Sequence, residues 1–138
     1  MRLYLDASVL VALFVNDPLS QRAHAAIAAA DAGLIVSDFA SLEFGASIQR
    51  FARGKLITGK DARSALQEFD RWTAVSCERA ETMGSDIVDA AVLVRRDDLA
   101  LRGSDAVHVA IVQRLAARLL TFDRKMASNA KRLGLAVA

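Results

Sequence analysis

Leu3-Tyr4-Leu5-Asp6-Ala7-Ser8-Val9-Leu10 decides how the rest of the chain is read. Leu3 to Leu5 are a short apolar run that reads as a buried strand, and Asp6 closes it. Ser8 to Val15 follow at once and read as a helix lying on that strand. Leu34-Ile35-Val36-Ser37 lead into a helix in the same way, and Leu119-Leu120-Thr121-Phe122 lead into Asp123 and another. Strands alternating with helices predict a parallel sheet covered on both faces. In such sheets ligands bind at the carboxyl ends of the strands. Asp6 and Asp123 end strands there, and Glu43 and Asp105 lie on helices near the same edge.

Working outward, Asn16-Asp17-Pro18 is a break, with Asp17 suited to cap a second helix that runs to about Asp31. Ser37 or Asp38 caps a third helix from about Phe39 to Arg53, with Phe39, Leu42, Ala46 and Phe51 on its apolar side. Gly54 and Gly59 bracket a turn. A fourth helix is expected from Lys60 to Trp72, with Ala62, Leu66, Phe69 and Trp72 at helical spacing. Val75 to Cys77 are read as the third strand and Arg79 to Arg96 as a helix weakened by Gly84. Ser104 is expected to cap a helix from Asp105 to about Ala117. Leu119 to Phe122 form the fourth strand, Arg124 to Leu133 the last helix, and Leu135 to Val137 a fifth strand. The expectation is one α/β domain over residues 1–138, with about five parallel strands.

Composition narrows the class. The chain has 138 residues, of which 54% are apolar and only 6% aromatic, so the core is built largely from Ala, Val, Leu and Ile. A net charge of +2 does not by itself argue for nucleic acid. Cys77 is the single cysteine, which excludes an intrachain disulfide and fits a reducing cytoplasm. There is no Cys/His cluster of zinc spacing. The apolar N-terminus is interrupted by Asp6, which argues against an export signal, and no apolar run is long enough to span a membrane.

Each acid has an ordinary explanation beside the functional one. Asp6 suits the cap of the helix that starts near Ser8, and Asp123 suits the cap of the last helix. Asp105 sits in a first helical turn, where the helix dipole favours a negative charge. Glu43 is a helical Glu, usually a solvated residue, but Leu42 and Phe44 flank it. Their shared edge is what sets these four apart. Asp86 and Asp89, three apart on a helix, read as a solvated stripe; Glu68, Asp70, Asp97 and Asp98 also read as surface.

The motifs match a known family. Leu5-Asp6-Ala7-Ser8-Val9-Leu10, Ser41-Leu42-Glu43-Phe44, Ser104-Asp105-Ala106-Val107-His108 and Thr121-Phe122-Asp123 resemble, in order and spacing, the four acidic motifs of PIN-domain ribonucleases, specifically the VapC toxins of bacterial toxin–antitoxin pairs. The resemblance runs over nearly the whole chain. It implies an endoribonuclease, a homodimer, and an antitoxin whose C-terminal segment wraps the toxin. It allows transfer or ribosomal RNA as substrate.

The chemistry of the residues agrees with that resemblance. Four carboxylates without cation partners repel one another and are expected to raise one another's pKa. Mg²⁺ or Mn²⁺, which take hard oxygen ligands, would relieve them. Asp6, Asp105 and Glu43 are the expected primary ligands, with Asp123 completing the site; Ser8 and Thr121 either bond the carboxylates or a bound water, or equally well cap helices or turns. His108, three residues after Asp105 on a similar helix face, could act near the site, but with no second histidine at ligand spacing it reads first as a packed or partly exposed histidine. RNA contacts are sought among Arg50, Arg53, Lys55, Arg124 and Lys125. Arg102 and Arg124 rank first because they adjoin motif acids, and either could instead be an ion-pair partner for the pocket. A phosphotransfer enzyme with Asp6 as nucleophile would want a second Asp at position 8, where Ser8 stands. A catalytically silent RNA- or peptide-binding module is the remaining alternative.

Overall fold

A computed structural model describes all 138 residues. Four strands, β1 (Leu3–Leu5), β2 (Leu34–Ser37), β3 (Cys77–Ala80) and β4 (Arg118–Leu120), form a wholly parallel sheet in the order β3-β2-β1-β4. The helices are α1 (Ala7–Phe14), α2 (Ser20–Ala29), α3 (Asp38–Arg53), α4 (Gly59–Ser76), α5 (Gly84–Val94), α6 (Gly103–Leu115) and α7 (Arg124–Arg132). The expected fifth strand is reduced to a single parallel bridge between Val137 and Leu119. None of the helices is long and apolar enough to cross a membrane.

The strands show why a parallel sheet forms. Side chains alternate between faces along a strand, and both faces here are apolar. Tyr4, Ile35 and Leu119 point into a core with Ala90, Leu93, Val109, Val112 and Met126, from α5, α6 and α7. Leu3, Leu5, Val36 and Leu120 point into a second core with Val9, Phe44, Ile48 and Phe69, from α1, α3 and α4. Helix α6 is buried continuously from Asp105 to Val112, as expected of a helix that is apolar nearly all round. In the second core Phe14 stands edge-on to Phe44, Phe69 and Trp72, at centroid distances of 5.8, 5.7 and 5.5 Å.

Several boundaries differ from expectation for physical reasons. Ala74 to Ser76 remain helical, and β3 begins only at Cys77, whose N–H caps α4 through Thr73 O. The β preference of Val75 does not decide, because this side chain is 85% exposed and packs against nothing. The expected helix from Arg79 is a strand as far as Ala80, paired with Ser37 of β2. Gly84 then opens α5 instead of interrupting it. On α3 the buried ridge is Ala40, Phe44 and Ile48, not the side carrying Leu42 and Ala46, both of which are exposed. Ser37 is the cap of that helix, its hydroxyl accepting from Ala40 N–H. Ser104 is not a cap: α6 starts two residues earlier than expected, at Gly103 behind Arg102, with no side-chain cap bond.

Asp86 is not a surface residue. It is fully buried, and both of its oxygens accept from Arg114, at 2.8 Å each. It also accepts from the Met83 N–H at 2.8 Å. This fork ties the start of α5 to the end of α6. Burial works to raise the pKa of Asp86, but the Arg114 bonds, the Met83 N–H and the Arg114 charge hold it below the ordinary carboxylate range. A depressed folded-state pKa contributes stability that is present above the unfolded value, about 3.9, and lost as pH falls through the folded value. Arg114→Ala, which leaves a buried carboxylate unpaired, is expected to cost about 3 kcal/mol at neutral pH. Urea denaturation should show that loss shrinking as the pH is lowered and Asp86 protonates.

Candidate active site

Strand register places the first acid. Leu5 pairs with Leu120, so the next residues along, Asp6 and Thr121, emerge side by side at the carboxyl end of the sheet. The chain runs outward from β1 to β2 and β3, then returns to set β4 on the other side of β1. The β1/β4 boundary is therefore the topological switch point, where open α/β sheets bind their ligands. Asp6 is 2% exposed. One of its oxygens accepts from the Ser8 hydroxyl at 2.6 Å and the Val9 N–H at 3.2 Å, and the other accepts from the Thr121 hydroxyl at 2.6 Å. Ser8 in turn accepts from Phe122 N–H, and Thr121 from Asp123 N–H, both at 3.0 Å. The two hydroxyls thus lock the Asp6 carboxylate to the backbone that follows β4. Asp6 both caps α1 and faces the sheet edge. Burial raises its pKa; the hydroxyl bonds, the nearby His108 and the Val9 N–H oppose the shift without reversing it.

The expectation of four unpartnered, mutually repelling carboxylates is not met. Arg102 donates to Asp105 at 3.2 Å and reaches Asp123 at 3.4 Å. Its side chain is 77% exposed, and these carboxylates hold its pKa above the ordinary arginine value, the Asp105 hydrogen bond most of all. Asp105 is buried at the head of α6. Asp123 divides its oxygens: Oδ1 caps α7 through Lys125 and Met126 N–H, and Oδ2 faces Arg102. Glu43, on the second turn of α3, bonds the Nε2 of His108. The expectation of a packed His108 is met, since it is 2% exposed and lies edge-on to Phe39 and Tyr4. Its bond to Glu43 was not expected. What raises the Asp6 pKa is desolvation, not repulsion among the acids.

The donor set suits a hard divalent cation, because it consists of carboxylates and hydroxyls with neither thiol nor a histidine pair. As arranged, no three of the His, Cys, Asp and Glu side chains converge closely enough to hold one. Closing Asp105 and Asp123 around an ion requires Arg102 to withdraw. Its exposure permits that, and its contacts are to these two acids alone.

The remaining basic candidates are placed elsewhere. Arg124 and Lys125 line a groove of about 460 Å³ beside α7, together with Asp97, Asp98 and Arg132. Arg50, Arg53 and Lys55 are exposed at the far end of α3. Sequence reading missed Arg22, whose guanidinium lies 5.0 Å from the Phe122 ring centroid, beside Asp123. It also missed Tyr4 and Ser37, which continue the His108 hydrogen bonds into the core. Tyr4 looks like any core aromatic in the sequence, and only the three-dimensional pairing reveals its hydroxyl contacts.

The fold and the edge of acids define a class. The sequence model of the PIN domain matches residues 3–132, and this chain belongs to that family. Among individual proteins it is similar to Ribonuclease VapC3 of Pyrobaculum aerophilum, 28% identical over 129 residues that cover 94% of this chain and 95% of the relative. Solved structures share the fold at low identity. VapC20 of Mycobacterium tuberculosis, described as a sarcin-ricin loop cleaving toxin, superposes with a TM-score of 0.72 at 16% identity over 96% of this chain and 95% of that one. VapBC2 of Rickettsia felis, bound to a DNA fragment from its promoter, gives 0.72 at 14% identity over 100% and 98%.

The buried Asp6 gives a pH test. With its folded-state pKa raised, the folded protein holds the Asp6 proton more tightly than the unfolded chain does. Stability then falls as pH rises from the unfolded value, about 3.9, through the folded one. Asp6→Asn lacks that term. Relative to the wild type, its unfolding free energy in EDTA should rise as buffers are moved from acid to neutral. A gap independent of pH would mean that Asp6 titrates as an ordinary surface carboxylate.

Proposed function

We propose that this protein is a metal-dependent endoribonuclease of the VapC kind, the toxin of a toxin–antitoxin pair. The observation that carries the reading is the gathering of Asp6, Glu43, Asp105 and Asp123 on one sheet edge, at the switch point of a PIN domain. The similarity to a named VapC ribonuclease along nearly the full chain supports it.

Asp6, Asp105 and Glu43, with Asp123, would hold Mg²⁺ or Mn²⁺. When bound, such an ion supplies an activated water at neutral pH and screens the phosphodiester charge. The chain's own residues do the positioning. Ser8 and Thr121 fix both oxygens of Asp6, and preorganised ligands of this sort need little rearrangement at the moment of reaction. Arg102, once released from Asp105 and Asp123, is the cation nearest the site for an RNA phosphate, and guanidinium groups bind phosphates by paired hydrogen bonds. Arg124 stands one residue past Asp123 and would follow the RNA backbone into the groove beside α7.

The substrate proposed is structured cytoplasmic RNA, transfer or ribosomal; the activity named for VapC20 supports the ribosomal choice. An antitoxin partner is supported by neighbours solved as toxin–antitoxin pairs. A homodimer is proposed through α5. Five of the ten exposed large apolar side chains, Met83, Ile87, Val88, Val92 and Val94, lie on or beside this one helix. Contiguous exposed apolar surface marks interfaces. The pairing of Arg102 with two of the acids favours one second reading, in which the site is silent and the edge only binds RNA or a peptide.

The deciding experiment is cleavage of total transfer and ribosomal RNA by the purified, antitoxin-free protein with Mg²⁺ or Mn²⁺, beside EDTA. Fragments should appear only with metal and should vanish in Asp6→Asn and Asp105→Asn. Intact RNA from the folded wild type under these conditions would select the binding-module reading. Separately, light scattering should show a dimer for the wild type and a monomer for Val88→Glu; a dimeric variant would move the interface off α5.

A further inference from the structure

The direction of every hydrogen bond running from β2 to Glu43 can be worked out. The Ser37 hydroxyl is fully buried and has two contacts: Ala40 N–H at 3.0 Å and the Tyr4 hydroxyl at 2.8 Å. The amide can only donate, so the Ser37 proton has one acceptor available, the Tyr4 oxygen. If Tyr4 donated to Ser37 instead, the serine proton would be buried without a partner, a costly arrangement. Tyr4, accepting from Ser37, therefore donates its own proton to Nδ1 of His108, 2.6 Å away. A neutral imidazole that accepts at Nδ1 carries its proton on Nε2, and Nε2 contacts Oε1 of Glu43. The chain runs one way, from Ala40 N–H through Ser37, Tyr4 and His108, and ends on the carboxylate.

Given the nuclease reading, on which this rests, we propose that His108 is a positioning residue: fixed in its Nε2–H tautomer by Tyr4 and Ser37, it holds Oε1 of Glu43 and leaves Oε2 as the oxygen offered to the site. Glu43 needs such a device more than its partners do. Asp6 is gripped by three donors and Asp123 caps a helix. Glu43 has a longer side chain, is partly exposed, and has His108 as its one protein donor. Holding a flexible carboxylate costs side-chain entropy, and a buried, preset donor lowers that cost. The spacing of three residues between Asp105 and His108 then has a function. One helix delivers a carboxylate from its first turn and, from the next, the donor that fixes a carboxylate on α3.

The tautomer can be read without any cleavage assay. The chain has two histidines, and His24 is exposed. Long-range ¹H–¹⁵N correlation spectra of the labelled full chain should show His108 with Nδ1 unprotonated and Nε2 protonated, and Tyr4→Phe should abolish that single state. In cleavage assays His108→Leu should lower kcat by roughly 10- to 100-fold with KM for RNA unchanged. His108→Gln, whose amide nitrogen can still donate to Glu43, should recover most of that loss. A proton found on Nδ1, or a folded His108→Leu that cleaves at the wild-type rate, overturns the proposal. So does a folded His108→Gln no better than His108→Leu. A wild type that cuts no RNA while His108 shows the expected tautomer overturns the nuclease reading and leaves the hydrogen-bond chain standing.

Discussion

The site depends on one buried carboxylate held from both sides of a strand pair. Asp6 lies at the carboxyl end of β1, almost without water, where an ionised group is stable only if its oxygens are satisfied. Ser8 and Thr121 meet that demand, and each hydroxyl is itself fixed by a backbone N–H just past β4. The β1–β4 register, the start of α1 and the approach to α7 are therefore tied at one point. A slip of that register by one residue would turn Thr121 away and leave Oδ2 of Asp6 without its donor. Packing and chemistry demand the same alignment, because the same slip would also move Leu119 and Leu120 to the wrong faces.

Each acid at this edge is balanced in its own way. Asp6 has hydroxyls and an amide, Asp105 and Asp123 share Arg102, Glu43 has His108. No buried side-chain polar atom is left without a partner. The balance is uneven in exposure. His108 and Thr121 are buried and Ser8 partly so, whereas Arg102 is a long side chain that is mostly exposed.

Away from the edge, the fold supplies rigidity. Helix α6 is buried from Asp105 to Val112 and carries both Asp105 and His108, so two side chains of the site move only if the core does. The Asp86–Arg114 fork fastens the other end of that helix to α5. Helix α5 is anchored by Asp86, Ala90 and Leu93 on one side and leaves apolar side chains to solvent on the other. Those side chains find no partner within the chain itself.

Local pattern alone was enough for the alternation of strands and helices, the parallel sheet, and the position of the four acids at its carboxyl edge. Short apolar runs such as Leu3–Leu5 and Leu34–Val36 read as buried strands, and each is followed by a capping residue, Asp6 or Ser37, that starts a helix. Boundaries that rest on packing were less legible. Val75 carries a strand preference that exposure makes irrelevant, Arg79 is drawn into β3 by pairing with β2, and the buried side of α3 is set by which ridge meets α1 and α4. Charge partners were the least legible of all. Asp86 and Asp89 look alike along the chain, yet one is buried against Arg114, which lies 28 residues away. Tyr4 and His108 are 104 apart and Glu43 and His108 are 65 apart. The sequence by itself determined which residues could carry the chemistry, because periodicity and capping are local. Only the tertiary structure decided how each carboxylate is balanced, because a hydrogen bond between distant residues depends on strand register and helix packing that no local pattern encodes.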